Sequence, residues 1–315
     1  MKKKSNIGFG ILSWKAHHTL IQTLETYKKA DLTSFFDETI IWFNQRTKED
    51  DAIAKKYGYK AFGDDRNLAF KAEENIAQSL TTEYVLIVQN DNQLAVYDKK
   101  EIQKQLETAK HLLEKGVCDI VRMRHRYMVG EGFSDARKYL NYHNISKSSK
   151  SLIKEQHKLS ADDLKYNPFK FLKRLFRPFK AKRLIGRSVF IEDNAALLYP
   201  KYIQKIDDTF IVDSAYMNHS EQPFMVKRDF FLNTICKYIN ENPKKRGLNG
   251  FQVPEIILNC KWWKNKHFKI GVPVGLFTHG RFDGSFRKFH KSYDESYDNV
   301  KGARYGTTDK KTKRS

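Results

Sequence analysis

TEYVLIVQNDN, residues 82–92, sets the reading of the whole chain. Tyr84 to Val88 are five apolar residues, mostly β-branched or aromatic, and the run stops abruptly in Gln89, Asn90, Asp91 and Asn92. Such a run is too short for a helix and reads as a buried central strand. In open α/β sheets ligands sit beyond the carboxyl ends of such strands, so these four polar residues emerge where chemistry is expected. Taken alone, the segment also fits a strand running into a polar turn.

The preceding residues repeat the pattern. Ile7 to Leu12 is a short apolar strand carrying Gly8 and Gly10 and closing in Ser13, Trp14 and Lys15; Leu20, Ile21, Leu24 and Tyr27 then recur at helical spacing. A second strand, Thr39 to Phe43, ends in Asn44 and Gln45. Lys48 to Tyr57 reads as a short charged helix, Tyr59 to Phe62 as a third strand, and GDDRN at 63–67 opens a helix with Leu68, Ala72, Ile76 and Leu80 on one face. Three strand-helix alternations predict right-handed βαβ units and an α/β fold with a mostly parallel central sheet flanked by helices. Ser13, Asn44, Asp65 and Asp91 then cluster on one edge.

Composition narrows the partners. Among 315 residues, 58 Lys and Arg stand against 37 Asp and Glu, a net charge of +21, which favours an anionic partner: nucleic acid, an acidic membrane surface or a phosphorylated metabolite. Three widely spaced cysteines, Cys118, Cys236 and Cys260, fit free thiols and give no zinc pattern. No apolar run approaches the ~18 residues of a membrane span, and the opening MKKKSNIGFGILSW does not read as a signal peptide. The expectation is a cytoplasmic protein, peripheral on the inner face of a membrane.

Further along, Lys99 to Lys115 is an amphipathic helix, and Cys118 to Met123 is a strand. The alternation then fails from Gly130 to Arg187, which reads as an insertion. Between Pro168 and Arg187 there are eight Lys or Arg and no acids, while Phe169, Leu172, Leu175, Phe176 and Phe179 fall on one side of a helical projection. That stretch suits an anionic membrane surface, and it also fits a helix packed on the domain with its lysines in water; Pro178 breaks or kinks it either way. Ser188 to Tyr199 and Thr209 to Ser214 look strand-like. Residues 218–235, NHSEQPFMVKRDFFLNTI, read as a strand leading into a helix. Glu255 follows Pro254, which suits the first turn of a helix, where the dipole stabilises an acid. The last fifteen or so residues have the composition of a disordered tail. The expected divisions are 1–129, 130–187, 188–290 and 291–315.

The run ILSW, helix, TIIWFNQ, helix, YGYKAFGDDRNLAFKAEENIAQSLTTEYVLIVQND resembles the nucleotide-sugar half of a GT-A glycosyltransferase, most closely the inverting family 2, over roughly residues 5–95. The resemblance departs at NDN, 90–92, which has one carboxylate where the family's DxD motif offers two. It implies a sugar moved with inversion from a nucleotide-diphosphate donor to a glycan or lipid-linked acceptor. By the same resemblance Ser13, Trp14, Asn44, Asp65, Arg66, Asn67, Asn90, Asp91 and Asn92 face the donor. Asp91 and His279 hold a divalent cation, Mn or Mg, and Gln222 and Pro223 face the acceptor, with Trp262 available to stack on a sugar ring. Glu255 is the implied general base, with Asp213 and Glu221 as competing carboxylates and a helix-capping role as the alternative for Glu255. Arg66 is placed to meet phosphate. The rival reading is a basic nucleic-acid-binding protein without catalytic activity. It shows no helix-turn-helix, zinc or RRM signature and has no need of polar residues at successive strand ends, so nucleic acid is not the expected partner. A nucleotidyltransferase on a similar sheet would want more metal-binding carboxylates than Asp91.

Overall fold

The computed structural model describes residues 5–67, 70–130, 135–146, 165–220, 223–243 and 253–280. Glu221, Gln222 and the expected tail, 291–315, lie outside the described residues, as does 147–164 of the expected insertion. The first half of the sheet is parallel. Strands β1 (Ile7–Ser13), β2 (Glu38–Asn44), β3 (Lys60–Asp64) and β4 (Tyr84–Gln89) are joined through helices α1 (His17–Lys29), α2 (Lys48–Lys56) and α3 (Phe70–Ser79). Helix α4 (Lys99–Glu114) and strand β5 (Ile120–Arg122) follow; later in the chain come β6 (Ile203–Ile206), β7 (Thr209–Asp213), β8 (Phe224–Lys227) and β9 (Lys269–Val272). Their spatial order is β3-β2-β1-β4-β8-β5-β9-β7-β6.

The expected α/β sheet flanked by helices is present, and its second half mixes directions. Strand β8 enters between β4 and β5 antiparallel to both, so β5, and β9 beside it, run the same way as β4. One edge of the sheet therefore gathers the carboxyl ends of β1 to β5 and β9, while β7, antiparallel to β9, ends on the other.

Alternation along each strand builds the two faces. Ile7, Phe9 and Ile11, with Tyr84, Leu86 and Val88, share a buried cluster with Leu20 and Leu24 of α1 and Leu106 of α4. On the opposite face β1 carries glycine, because α3 lies directly on it. A Cβ at Gly10 would sit 2.1 Å from Ile76 Cγ2, and one at Gly8 would sit 2.5 Å from Thr82 Oγ1. Helix α2 begins in a capping box, in which the Thr47 side chain accepts from the Asp50 amide and Asp50 accepts from the Thr47 amide.

In the second half of the chain a predicted strand does not form. Ser188 to Tyr199 is not a strand but a 3-10 turn, Ile185–Phe190, followed by the short helix Ala195–Leu198. Local hydrogen bonds replace strand pairing: the Ser188 carbonyl accepts from the Ile191 and Glu192 amides at 2.8 and 2.7 Å, and the buried Glu192 carboxylate accepts from the Ser146 amide at 3.1 Å. Val189, Phe190 and Ile191 are buried nonetheless. No described helix is long and apolar enough to cross a membrane.

Two histidines are held neutral by this packing. His143 stacks on Tyr139 at 4.7 Å and lies 3.1 Å from the Ala181 carbonyl, and burial pushes its pKa down from 6.5 to about 4. His219 lies between Trp263 and Phe224, and burial, with the Arg122 charge, pushes it down to about 3. The unfolded chain takes up both protons near pH 6.5 and the folded chain resists them, so the stability these sites contribute is present above pH 6.5 and is lost as pH falls toward 4. We predict that urea unfolding free energy falls from pH 6.5 to 5 by on the order of 1 kcal/mol per histidine. His143→Gln should flatten part of that slope, and a profile level from pH 7 to 5 would contradict the assignment.

Candidate active site

The Asn90-Asp91-Asn92 turn is tied down from several sides. The Asn90 amide extends the β1/β4 ladder to the Leu12 carbonyl at 2.9 Å, and Asn92 Oδ1 accepts from the Gln89 amide at 2.7 Å. From α1, Thr23 Oγ1 donates to the Asn90 carbonyl at 2.7 Å and the Tyr27 hydroxyl to the Asn92 carbonyl at 2.5 Å. These spacings put Thr23 and Tyr27, four residues apart on one helix face, against the same turn.

The segment after β9 is laced onto this turn. Leu94 bridges Phe277, the Thr278 amide donates to the Gln93 carbonyl at 2.8 Å, and the Gly280 amide donates to the Asp91 carbonyl at 2.9 Å. Gln93 Nε2 donates to both the Gly280 carbonyl at 2.8 Å and Thr23 Oγ1 at 2.9 Å. The result sets His279 Nε2 3.2 Å from Asp91 Oδ2, with the Asp91 side chain only 2% exposed. His279 Nδ1 is buried and has no hydrogen-bond partner among the described residues.

This pair fits a divalent cation. Two ligands of one octahedral ion, each at about 2.1 Å and at right angles, lie about 3 Å apart, close to the observed separation. Among the described residues no group of three or more His, Cys, Asp or Glu could hold a metal, so the rest of a coordination shell would come from a bound ligand and water. A hard cation that takes one or two protein ligands plus phosphate oxygens is the ordinary arrangement for phosphate substrates.

The other strand ends line the same edge. Ser13 is buried, with Asn90 Nδ2 3.4 Å from its hydroxyl; Trp14 Nε1 donates to Gln45 Oε1 at 2.7 Å; Asn44 Nδ2 donates to Asn67 Oδ1 at 2.9 Å. Some expected site residues stand elsewhere. Asp64, not Asp65, ends β3; Asp65 is 90% exposed, and Arg66, 68% exposed, lies 3.6 Å from both carboxylates at the rim. Asn92 spends its side-chain oxygen on the turn itself. Asp213 is a correction: β7 runs against β9, so Asp213 pairs in register with Lys269 on the opposite edge and ion-pairs there with His267 at 3.0 Å and Lys269 at 3.3 Å. Trp262 also stands away from the strand-end cluster and is half-buried. Its ring is stacked on Tyr238 at 3.7 Å and packs edge-on against Phe268, next to that same opposite edge.

Pro223 lies at the site edge, where its carbonyl accepts from the Met123 amide at 2.7 Å. Glu255 is exposed in the first turn of the helix Pro254–Leu258. Asn259, at the end of that helix, is 3.3 Å from the His219 carbonyl, and the His219 ring lies 6.5 Å from Phe224, the β8 residue on the site edge.

Sequence reasoning missed a cationic row that leads out of β5. Arg122, Arg124 and Arg126 are all buried; Arg122 and Arg124 donate to the carbonyls of Asn218 and Val129, and Arg126 lies 4.7 Å over the Phe210 ring. The His125 amide donates to the Phe277 carbonyl at 2.7 Å, which fixes this row beside the segment carrying His279. Burial, with the Arg126 charge, pushes His125 down to about 4, so its ring is neutral and accepts from the Tyr127 and Met128 amides. The visible signal was RMRHR directly after an apolar strand.

No protein-family model matches the chain, and no curated protein sequence matches it. Solved structures similar to it include S. aureus TarS 1–349, with TM-score 0.42 and 12% identity over 91% of this chain and 63% of that one. The chain spans 38% of the longer TarS structure. Others are the mannosyltransferase PcManGT from Pyrobaculum calidifontis, described in complex with GDP-Man and Mn2+ (TM-score 0.32, 10% identity, 39% of this chain and 36% of that one), and a cytidylyltransferase from Leptospira borgpetersenii (0.32, 14%, 40% and 57%). Likenesses this weak carry no argument about chemistry, which rests on this chain's own residues.

The two hydrogen bonds from α1 generate a direct expectation. Thr23→Val and Tyr27→Phe each strand a buried main-chain carbonyl of the Asn90 to Asn92 turn, and each should cost about 1–3 kcal/mol in urea unfolding. Loss of less than a few tenths of a kcal/mol in both would show that the turn does not depend on α1.

Proposed function

We propose that the chain is a glycosyltransferase that moves a sugar, with inversion, from a nucleotide-diphosphate donor to a glycan or lipid-linked acceptor. The observation that carries the proposal is the Asp91–His279 pair, 3.2 Å apart at the carboxyl ends of parallel strands. Ser13, Trp14, Asn44, Asn67 and Asn90 line the nucleotide side of the edge, and Asp91 and His279 hold a Mn or Mg ion. When bound, that cation neutralises the charge developing on the leaving diphosphate. Arg124 and its neighbours add fixed positive charge to the same edge, and Arg66, beside Asp64 and Asp65 at the rim, would exchange these partners for phosphate.

Glu255, or Glu221, takes the proton from the acceptor hydroxyl, because an alcohol is a poor nucleophile until a positioned carboxylate relieves it of that proton. The attacking oxygen then forms the new glycosidic bond as the bond to the diphosphate breaks. A base on the acceptor side and cationic groups on the donor side separate the two charges that a single displacement generates.

A panel of nucleotide sugars, screened for hydrolysis and for thermal stabilisation with and without Mn, tests the class. At least one donor should respond, and Asp91→Asn should abolish both that response and its Mn dependence. Glu255→Gln should lower transfer by roughly 10²–10⁴-fold while donor binding stays near normal. Wild-type transfer by Glu255→Gln would move the base to Glu221, and no response to any nucleotide sugar would sink the proposal.

A further inference from the structure

Helix α6, counted after the short helix α5 (Asp135–Leu140), spans Phe169–Phe176, and α7 spans Pro178–Arg183. Helix α6 is amphipathic, but its polar side faces the protein. Lys170 Nζ donates to the His143 carbonyl at 3.3 Å, Arg174 Nη1 donates to the Tyr142 carbonyl at 2.9 Å, and the Lys173 ammonium lies 5.1 Å over the Tyr142 ring. No residue of α6 is buried. Its apolar side is turned to solvent, with Phe169 71%, Leu175 59% and Phe176 83% exposed, and Phe179 of α7 continues the ridge at 89%. A surface helix of a globular domain ordinarily does the reverse and buries its apolar stripe.

We propose that this ridge docks on the headgroup region of an anionic lipid bilayer. Between Pro168 and Arg187 the chain carries eight Lys or Arg and no Asp or Glu, and of these Arg177 and Lys180 are exposed beside Phe176 and Phe179 of the ridge. Phenylalanine and leucine at the acyl boundary, with Lys and Arg stems reaching back to phosphate, is the arrangement an anionic membrane surface rewards. The same charge repels a second copy of this surface. Nucleic acid would draw on the cations, three of which α6 turns toward its own domain. Beside the ridge, a groove of about 630 Å³ between α5 and residues 165–170 is lined by Arg137, Lys165, Lys170 and Tyr166, a setting for a phosphate headgroup. The inference stands on this surface alone and is independent of the reaction proposed above.

Co-sedimentation of the full chain with vesicles of phosphatidylcholine, and of phosphatidylcholine mixed with phosphatidylglycerol, tests it. Binding is expected only to the anionic vesicles. It should weaken at least about tenfold in Phe176→Ser/Phe179→Ser and in Arg177→Glu/Lys180→Glu, and it should weaken with added salt. All four side chains are exposed, so unchanged thermal melting of the variants is the control for folding. Equal binding to both vesicle types overturns the proposal, as does undiminished binding by the phenylalanine variant, which would leave charge alone. No vesicle binding by the wild type also overturns it, including when light scattering shows a dimer that the phenylalanine variant abolishes. Duplex DNA binding that depends on the two phenylalanines overturns it in favour of nucleic acid.

Discussion

Burying a carboxylate as completely as Asp91 costs several kcal/mol in lost hydration, and a fold keeps such a group only where something nearby repays the cost. In this chain the nearby group is His279, delivered by a segment that follows the last strand and is sewn to the Asn90 to Asn92 turn through main-chain bonds at Gln93 and Gly280. Main-chain bonds fix position without depending on long flexible side chains. Main-chain pairing therefore fixes where the two side chains start, and their rotamers close the remaining distance to the short separation that a shared cation requires.

The rest of the architecture follows from holding that edge. Glycines in β1 let α3 settle on the sheet, and α1 braces the turn with Thr23 and Tyr27 from the other face. Strand β8 enters antiparallel between β4 and β5, which brings Pro223 and the buried arginine row to the same edge as Asp91. A site made of one acid, one imidazole and several fixed cations suits a ligand that carries its own negative charge. On the function proposed above, a cation held by Asp91 and His279 would have its shell completed by the ligand's phosphate oxygens, so that cation and ligand would bind as a unit.

Much of this was legible in the sequence where the signal was local. Short apolar runs ending in polar residues gave β1, β2 and β4 and their shared edge, because side chains at parallel strand ends are placed by the strand itself. Asp91 and His279 were picked out by resemblance to a family pattern, and their contact is made by long-range main-chain pairing that no local pattern encodes. Strand direction in the second half was not legible either, and so Asp213, at the end of a good strand, stood as an alternative base although that strand ends on the opposite edge. Asp64 and Asp65 differ by one residue, which in a strand is the difference between facing in and facing out. Ser188 to Tyr199 is apolar enough for a strand, but its carbonyls and Glu192 find partners within reach and the chain coils. The stretch around α6 read equally well as a packed helix or as a membrane face, because a helical projection shows an apolar stripe without saying which way it points.

Asp91 and His279 are proposed together as a cation site completed by a diphosphate. Electron paramagnetic resonance of Mn2+ titrated with the full chain measures this directly, since the free ion's signal disappears on binding. Weak depletion of free Mn2+ is expected with the protein alone. Markedly stronger depletion is expected when a nucleoside diphosphate such as UDP or GDP is added, beyond that caused by the nucleotide itself, with loss of this enhancement in both Asp91→Asn and His279→Ala. Enhancement that survives in both variants, or none in the wild type with any nucleoside diphosphate, would contradict the proposed site.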